Sequence, residues 1–400
     1  MLVSPGDRDT IRSYNLLDTV MGGNAFNETA DGQQPVQITR LETSIHEAIR
    51  QRAIEALRPH FHHCISPTDA PEKADHGDVD ILVSGPKHDY SVADMASWLG
   101  AIAYKDAGDM RHLAVTVPGS EDSHAQIDVH LCKENIQWLA FMQSYGDLWG
   151  ILGTAIRRQG LTATDIGLHV RIEELEKRDK KASRIFLSDG PGAVLNFLGL
   201  DAEEYQRGFA TEQRLFEWLS QCHFVSASLF ARAPETSDER RRYERPMFAR
   251  FVTWIAAHAD NCSSVKVEPT RGPTVLKALK FFGKEDIYQC KRQQALHDIA
   301  EEEARIKIVT LLVSGGLKQD KAKLVVRGLK RWTYMEGQQI RISDHAQMEE
   351  ASQICLNDLL DKAGNGLQSR YILWIGQHTD DIKALEKGRM KLTKISKIDE

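Results

Sequence analysis

The 400-residue sequence predicts a mixed α/β (α+β) fold, with a small mixed sheet over residues 37–160 and a mostly α-helical region after it. Two observations predict this. Between Phe61 and Cys132, short runs rich in Val, Ile and Leu alternate with polar residues and stop at turn residues, as half-buried strands do. Beyond Lys133 the apolar spacing changes to three and four residues, the helical period. The bulk numbers fit: 42% hydrophobic and 27% charged residues are ordinary for a soluble globular chain, and 400 residues suggest two or three domains. A net charge of −6 argues against a generally basic, nucleic-acid-coating protein but leaves room for a local basic groove.

The elements follow in order. Residues 1–36, with Gly22-Gly23 and the polar stretch GNAFNETADGQQ, read as a loop-rich segment. A helix is expected over 39–57, because Ile38, Leu41, Ile45, Ala48, Ile49 and Leu57 fall on or near one stripe. FHHCIS (61–66) is a short strand and VDILVSG a second, ending at Gly85-Pro86. Ser91–Leu99 reads as a short helix with Ser91 as N-cap. HLAVTVPG (112–119) and AQIDVHLC (125–132) complete the strands. Trp138, Phe141 and Met142 form one helical cluster, and Leu148, Ile151, Leu152, Ala155 and Ile156 another. AVLNFLGL (193–200) ends in a Gly-containing helix stop. ETSDERRRYERP is a charged linker or helix start, and WTYMEGQQIRIS a strand or loop within an otherwise helical C-terminal part. The expected divisions are 1–36, 37–160, a helical 161–303 and a basic, mostly helical 304–400.

The run HGDVDILV raises the functional question. Side chains alternate along a strand, so Val79, Ile81 and Val83 share one face while Asp78, Asp80 and Leu82 share the other. Two carboxylates held side by side repel, and solvent or a divalent cation relieves the repulsion. AQIDVHLC repeats the pattern, with Gln126, Asp128 and His130 on one face and Ile127, Val129 and Leu131 on the other. If the two strands are neighbours, Asp78, Asp80 and Asp128 converge. Carboxylates on rigid strands are what a pair of Mg²⁺ (or Mn²⁺) ions requires, since hard cations take oxygen ligands. Taken singly, a D-x-D is also common on solvated strand edges, where charge discourages aggregation.

Gly77-Asp78-Val79-Asp80-Ile81, with Asp128 on a later strand, resembles the DNA polymerase β-like nucleotidyltransferases. The resemblance covers roughly residues 37–160. It implies that Asp78 and Asp80 bind both catalytic metals, and that Asp128 binds the metal that activates the acceptor hydroxyl and helps to deprotonate it. It further implies an NTP substrate and transfer of a nucleoside monophosphate to an RNA end, a small molecule or a protein. The family's Gly-Ser turn falls at Cys64-Ile65-Ser66, where Ser66 fills the serine position but Ile65 stands in place of the glycine. A branched side chain there hinders close approach of a triphosphate. Two other readings therefore accompany this one: a non-catalytic nucleotidyltransferase-like scaffold, and a two-metal nuclease.

Other candidates carry less chemistry. Ser66, Gly77 and Arg157 are the candidate nucleotide contacts; Arg157 and Arg158 are also well placed simply as cations at a helix C-terminus before Gly160. Lys73 and His76 flank the D-x-D and read as solvated loop residues within reach of a phosphate. His130 is a substrate contact or a support for the carboxylates. Lys321, Lys323 and Arg327, with Lys330 and Arg331, lie off the apolar stripe of Leu324, Val325, Leu329 and Trp332, a pattern that suits RNA contact or a solvated face. Arg240-Arg241-Arg242 is a weaker version. No P-loop, G-x-G-x-x-G or H-E-x-x-H occurs, and the adjacent His62-His63 point to opposite faces. Cys64, Cys132, Cys222, Cys262, Cys290 and Cys355 form no C-x-x-C pair, which favours reduced thiols in an intracellular protein, cytoplasmic or nuclear. No apolar run reaches the ~18–20 residues of a bilayer span. The opening MLVSPGDRDTIRSYN has early charges and no apolar core, so no secretory signal and no membrane partner are expected.

Overall fold

The computed structural model describes residues 25–26, 36–120, 122–133, 135–232, 244–258, 270–343, 345–346, 354–360 and 368–396. Gly22-Gly23, Cys262 and Arg240–Arg242 lie outside the described residues. The fold is mixed α/β, and the chain divides into two compact units, Met1–Glu285 and Asp286–Glu400. The division does not fall at 303/304, because one continuous helix, Glu285–Ser314, runs through that point.

In the first unit the chain forms β1 (Leu41–Glu42), α1 (Thr43–Leu57), β2 (Phe61–Ile65), β3 (Asp75–His76), β4 (Asp78–Pro86), α2 (Val92–Leu99), β5 (Ala101–Ala107), β6 (Met110–Thr116), β7 (His124–Leu131), α3 (Ile136–Gln143) and α4 (Leu148–Arg157). Five strands make one mixed sheet in the order β2-β4-β7-β6-β5. Only β4 and β7 run parallel, and they sit beside each other at its centre. Val79, Ile81 and Val83 of β4, Leu113 and Val115 of β6, and Ile127 and Val129 of β7 pack together beneath α1 and α2. α1 supplies Ile49, Ala53 and Leu57, spaced at helical intervals. Ser91 caps α2 through a full capping box with Asp94. On the opposite face Leu82 packs with Ile136, Leu139 and Ala140 of α3. α3 thus closes that face at Leu82 and leaves Asp78 and Asp80 outside the apolar layer.

Three local differences from the sequence reading have clear causes. α1 starts at Thr43 rather than 39, because Leu41 and Glu42 pair with His76 and Asp75 as a short antiparallel ladder. The strand β5, Ala-rich and weak in β-propensity, is recruited by pairing with β6. Residues 161–285 are not all helix: Leu161–Thr164, Gly167–Arg171 and Arg184–Ser188 form a three-stranded antiparallel sheet. Each strand is four or five residues long, too short to show a period of its own.

The second unit packs Ala304 and Ile308 of the helix Glu285–Ser314 against Val325, Val326 and Leu329 of the helix Gln319–Trp332, and against Tyr371, Ile375 and Ile382 of the helix Ser369–Ser396. WTYMEGQQIRIS resolves into a hairpin, Thr333–Glu336 paired with Gln339–Ile342. Gly328 lets two helices touch: a Cβ there would clash with Ile382 Cγ2 and stand 3.1 Å from the Ile382 carbonyl oxygen. Helix propensity alone favours alanine over glycine by about 1 kcal/mol. Overpacking against a branched methyl and a backbone atom costs about 1–3 kcal/mol. The Gly328→Ala protein is therefore expected to be less stable, and a lower urea midpoint for the second unit's transition checks it.

Candidate metal centre

The parallel register sets Asp80 of β4 directly beside Asp128 of β7, and Asp78 beside Gln126. Asp78, Asp80 and Asp128 each bring a carboxylate oxygen within 4.8 Å of the others. Burial and then the charges of Asp78 and Asp128 push the Asp80 carboxyl well above the usual carboxylate range, with Lys73 opposing. Its side chain nevertheless opens onto a cavity of about 640 Å³, whose lining includes Ser66, Asp69, Lys73, Asp78, Asp80 and Arg250.

Asp128 is nearly buried and held from two sides. His112 Nδ1 lies 2.8 Å from Asp128 Oδ1, and Gln126 Nε2 donates to the same oxygen at 2.8 Å. The Ala25 amide donates to Gln126 Oε1 at 3.0 Å, which fixes the amide's orientation. The hydrogen bond to Asp128 raises the His112 pKa, against burial. With Oδ1 taken, Oδ2 is the oxygen of Asp128 left for a cation or a proton. No local pattern in the sequence marks His112. Its position shows only in the antiparallel pairing of β6 with β7, where His112 is the register partner of Asp128.

A second group lies beside the triad. His46, on the first turn of α1, and His76, on β3, stack at 3.8 Å with Asp69 near both. Burial pulls the His46 imidazole down to about 4 and lowers His76 as well, so both rings are neutral at neutral pH. His76 is therefore not a solvated loop residue: its pairing with Leu41 draws it inside.

The remaining sequence candidates separate. Ser66 lines the cavity, but its hydroxyl donates to the Asp80 carbonyl at 2.8 Å, so it braces the strand instead of standing free. Ile65 packs on the Leu82 cluster. Gly77 is buried between β3 and β4. Arg157 ends α4 and does not line the cavity; its carbonyl accepts from Arg171. His130 stands beside Leu82 in register, farther along β7 than the triad, and is also outside the cavity lining. In the second unit Lys321, Lys323 and Arg327 are exposed on the helix Gln319–Trp332. Lys330 and Arg331 turn inward to Glu301 and Glu386, at 3.3 and 2.7 Å, and so contribute less to a basic face than their spacing suggests. Among the described residues no helix is long and apolar enough to cross a membrane.

No family model matches the chain, and no curated protein matches it.

A carboxyl held above its unfolded value stabilises the fold only while protonated. Asp80 therefore costs stability as pH rises from the ordinary 3.8 through its higher folded value. A divalent cation offsets that cost, by about 2.7 kcal/mol at a hundredfold excess over its dissociation constant. At pH 7 the melting temperature is expected to rise with Mg²⁺ or Mn²⁺. Asp80→Asn should raise it without metal and remove the metal response. Differential scanning calorimetry of both proteins, with and without cation, checks the pair of signs.

Proposed function

We propose that the chain is a divalent-metal-dependent nucleotidyltransferase that moves a nucleoside monophosphate from an NTP to a hydroxyl acceptor on an RNA end, a small molecule or a protein. The observation that carries this reading is the convergence of Asp78, Asp80 and Asp128 on paired, parallel strands, with Asp78 and Asp80 lining a cavity. The donor set is all oxygen and its charges repel, which fits Mg²⁺ or Mn²⁺. When bound, such ions lower the pKa of an attacking hydroxyl and neutralise phosphate charge. A volume of about 640 Å³ lies within the ~300–1,000 Å³ of small-ligand sites.

The residues then divide the work. Asp78 and Asp80 hold negative charge at the cavity floor. Asp128, its Oδ1 fixed by His112 and Gln126, offers Oδ2 to the acceptor's proton. The acceptor oxygen forms a bond to the α-phosphorus, the bond from that phosphorus to the bridging oxygen breaks, and pyrophosphate leaves with the electron pair. The proton passes through Asp128 to solvent.

A second reading, metal and partner binding without transfer, draws on Ile65 and Ser66. The branched residue is packed in place and the hydroxyl is committed to Asp80, so neither serves a triphosphate.

The deciding experiment offers α-labelled NTPs and Mn²⁺, with RNA, small-molecule or protein fractions as acceptors. Transfer of label with release of pyrophosphate is expected. Asp80→Asn or Asp128→Asn should reduce it by two or more orders of magnitude. His112→Ala, which loosens Asp128, should reduce it about 10–100-fold. Metal binding with neither NTP binding nor transfer to any fraction would favour the second reading, and no metal binding would sink both.

A further inference from the structure

The ladder between β1 and β3 has a chemical consequence apart from the carboxylate triad. Leu41 pairs with His76, and α1 begins two residues later, so His76 meets the first turn of that helix and its His46. The loop before β3 brings Asp69 to the same place. His76 Nδ1 lies 3.3 Å from Asp69 Oδ1, and His46 Nδ1 lies 3.8 Å from Asp69 Oδ2. One donor atom from each of His46, Asp69 and His76 lies within 4.8 Å of the other two.

Three features point to a ligand rather than to packing. His76 is 1% exposed; its Nε2 has no hydrogen-bond partner, and its Nδ1 meets the Asp69 carboxylate at 3.3 Å. A buried polar group left in that state is costly, and few native groups are. His46, 4% exposed, is already oriented: its Nε2 contacts the Asp78 carbonyl oxygen at 3.1 Å. That contact puts the proton on Nε2 and leaves the Nδ1 lone pair facing Asp69, the arrangement typical of a metal-ligating histidine. The Asp69 carboxylate is held by Arg50 Nη1, 3.2 Å from Oδ2, as ligating carboxylates are held by outer contacts. Lys73 Nζ stands 3.8 Å from Asp69 Oδ1, but its side chain is 40% exposed and can withdraw to solvent.

We propose that His46, Asp69 and His76 form a second metal site, for a transition-metal ion such as Zn²⁺, separate from the triad. Two imidazoles and one carboxylate select Zn²⁺, Co²⁺ or Ni²⁺ over Mg²⁺, whereas the triad's all-oxygen set suits Mg²⁺ or Mn²⁺. Three protein ligands leave a fourth position, and His46 and Asp69 both line the cavity. The ion would tie α1 to β3 and so brace the start of β4, where His46 already holds the Asp78 carbonyl. The site does not depend on the nucleotidyl-transfer reading.

The test is a Co²⁺ and Zn²⁺ titration of the full chelator-treated chain in excess Mg²⁺, read by the visible bands of four-coordinate Co²⁺ and by calorimetry. One equivalent is expected to bind. Binding should persist in Asp78→Asn/Asp80→Asn, weaken at least tenfold in Asp69→Asn and vanish in His76→Gln. Circular dichroism reports whether each variant folds. If His76→Gln does not fold, Asp69→Asn, at the cavity surface, decides alone. No ion bound by the folded wild type overturns the proposal. So does an affinity unchanged in Asp69→Asn, or one lost with the Asp78/Asp80 change.

Discussion

The parallel ladder between β4 and β7 places Asp80 and Asp128 at one register position on adjacent strands, where backbones stand about 4.7–4.9 Å apart. Nothing in the apolar layers benefits from this. Val79, Ile81 and Val83 would pack under α1 and α2 whatever stood on the other face. The carboxylates are forced together by the register that buries those three side chains, since a one-residue slip would turn the apolar set outward. Sheet stability thus holds the charges in place, and their repulsion is the strain that a cation relieves.

Everything around the triad is arranged on that frame. β6 contributes His112 because it is antiparallel to β7 and in register with Asp128. Gln126, two residues before Asp128, reaches the same oxygen and is itself fixed by the Ala25 amide. α3 stops short of Asp78 and Asp80, so the cavity opens over them. A turn with Tyr145 and Gly146 both at positive φ carries the chain past Thr68, whose carbonyl accepts from the Tyr145 amide, and leaves Gly146 and Asp147 in the cavity wall. Asp147 is held there by Arg245 at 2.8 Å. Members of two donor sets of different chemistry line this space: Asp78 and Asp80 of the all-oxygen triad, and His46 and Asp69 of the set with two imidazoles.

The second unit follows a different economy of charge. Glu386 is fully buried and takes hydrogen bonds from Arg331 and Trp332, at 2.7 and 3.1 Å. Glu301 is also buried and accepts from the Cys355 thiol and the Asn357 amide, with Lys330 at 3.3 Å. A buried carboxylate without such partners would be strongly destabilising. The cations that answer it are drawn from the basic helix, and the exposed positive face is reduced to residues such as Lys321 and Lys323.

The sequence by itself determined the strands that carry the aspartates, their inward and outward faces, the cap at Ser91 and the predominance of helix, though not its exclusivity, after Lys133. Each of these is written in local periodicity or turn chemistry, which neighbouring residues enforce. The convergence of Asp78 and Asp80 with Asp128 was legible only as a condition, because two strands 48 residues apart in the chain show their faces but not their pairing. Tertiary structure decided the pairing, and with it His112 as the support of Asp128. It also decided the burial of His76, which a polar loop sequence conceals and a two-residue ladder imposes. Strands of four or five residues in 161–188 exist only because they pair with one another. The physical reason is the same throughout: periodicity is a local property, whereas register, burial and the neutralisation of charge depend on which distant segment comes to lie alongside.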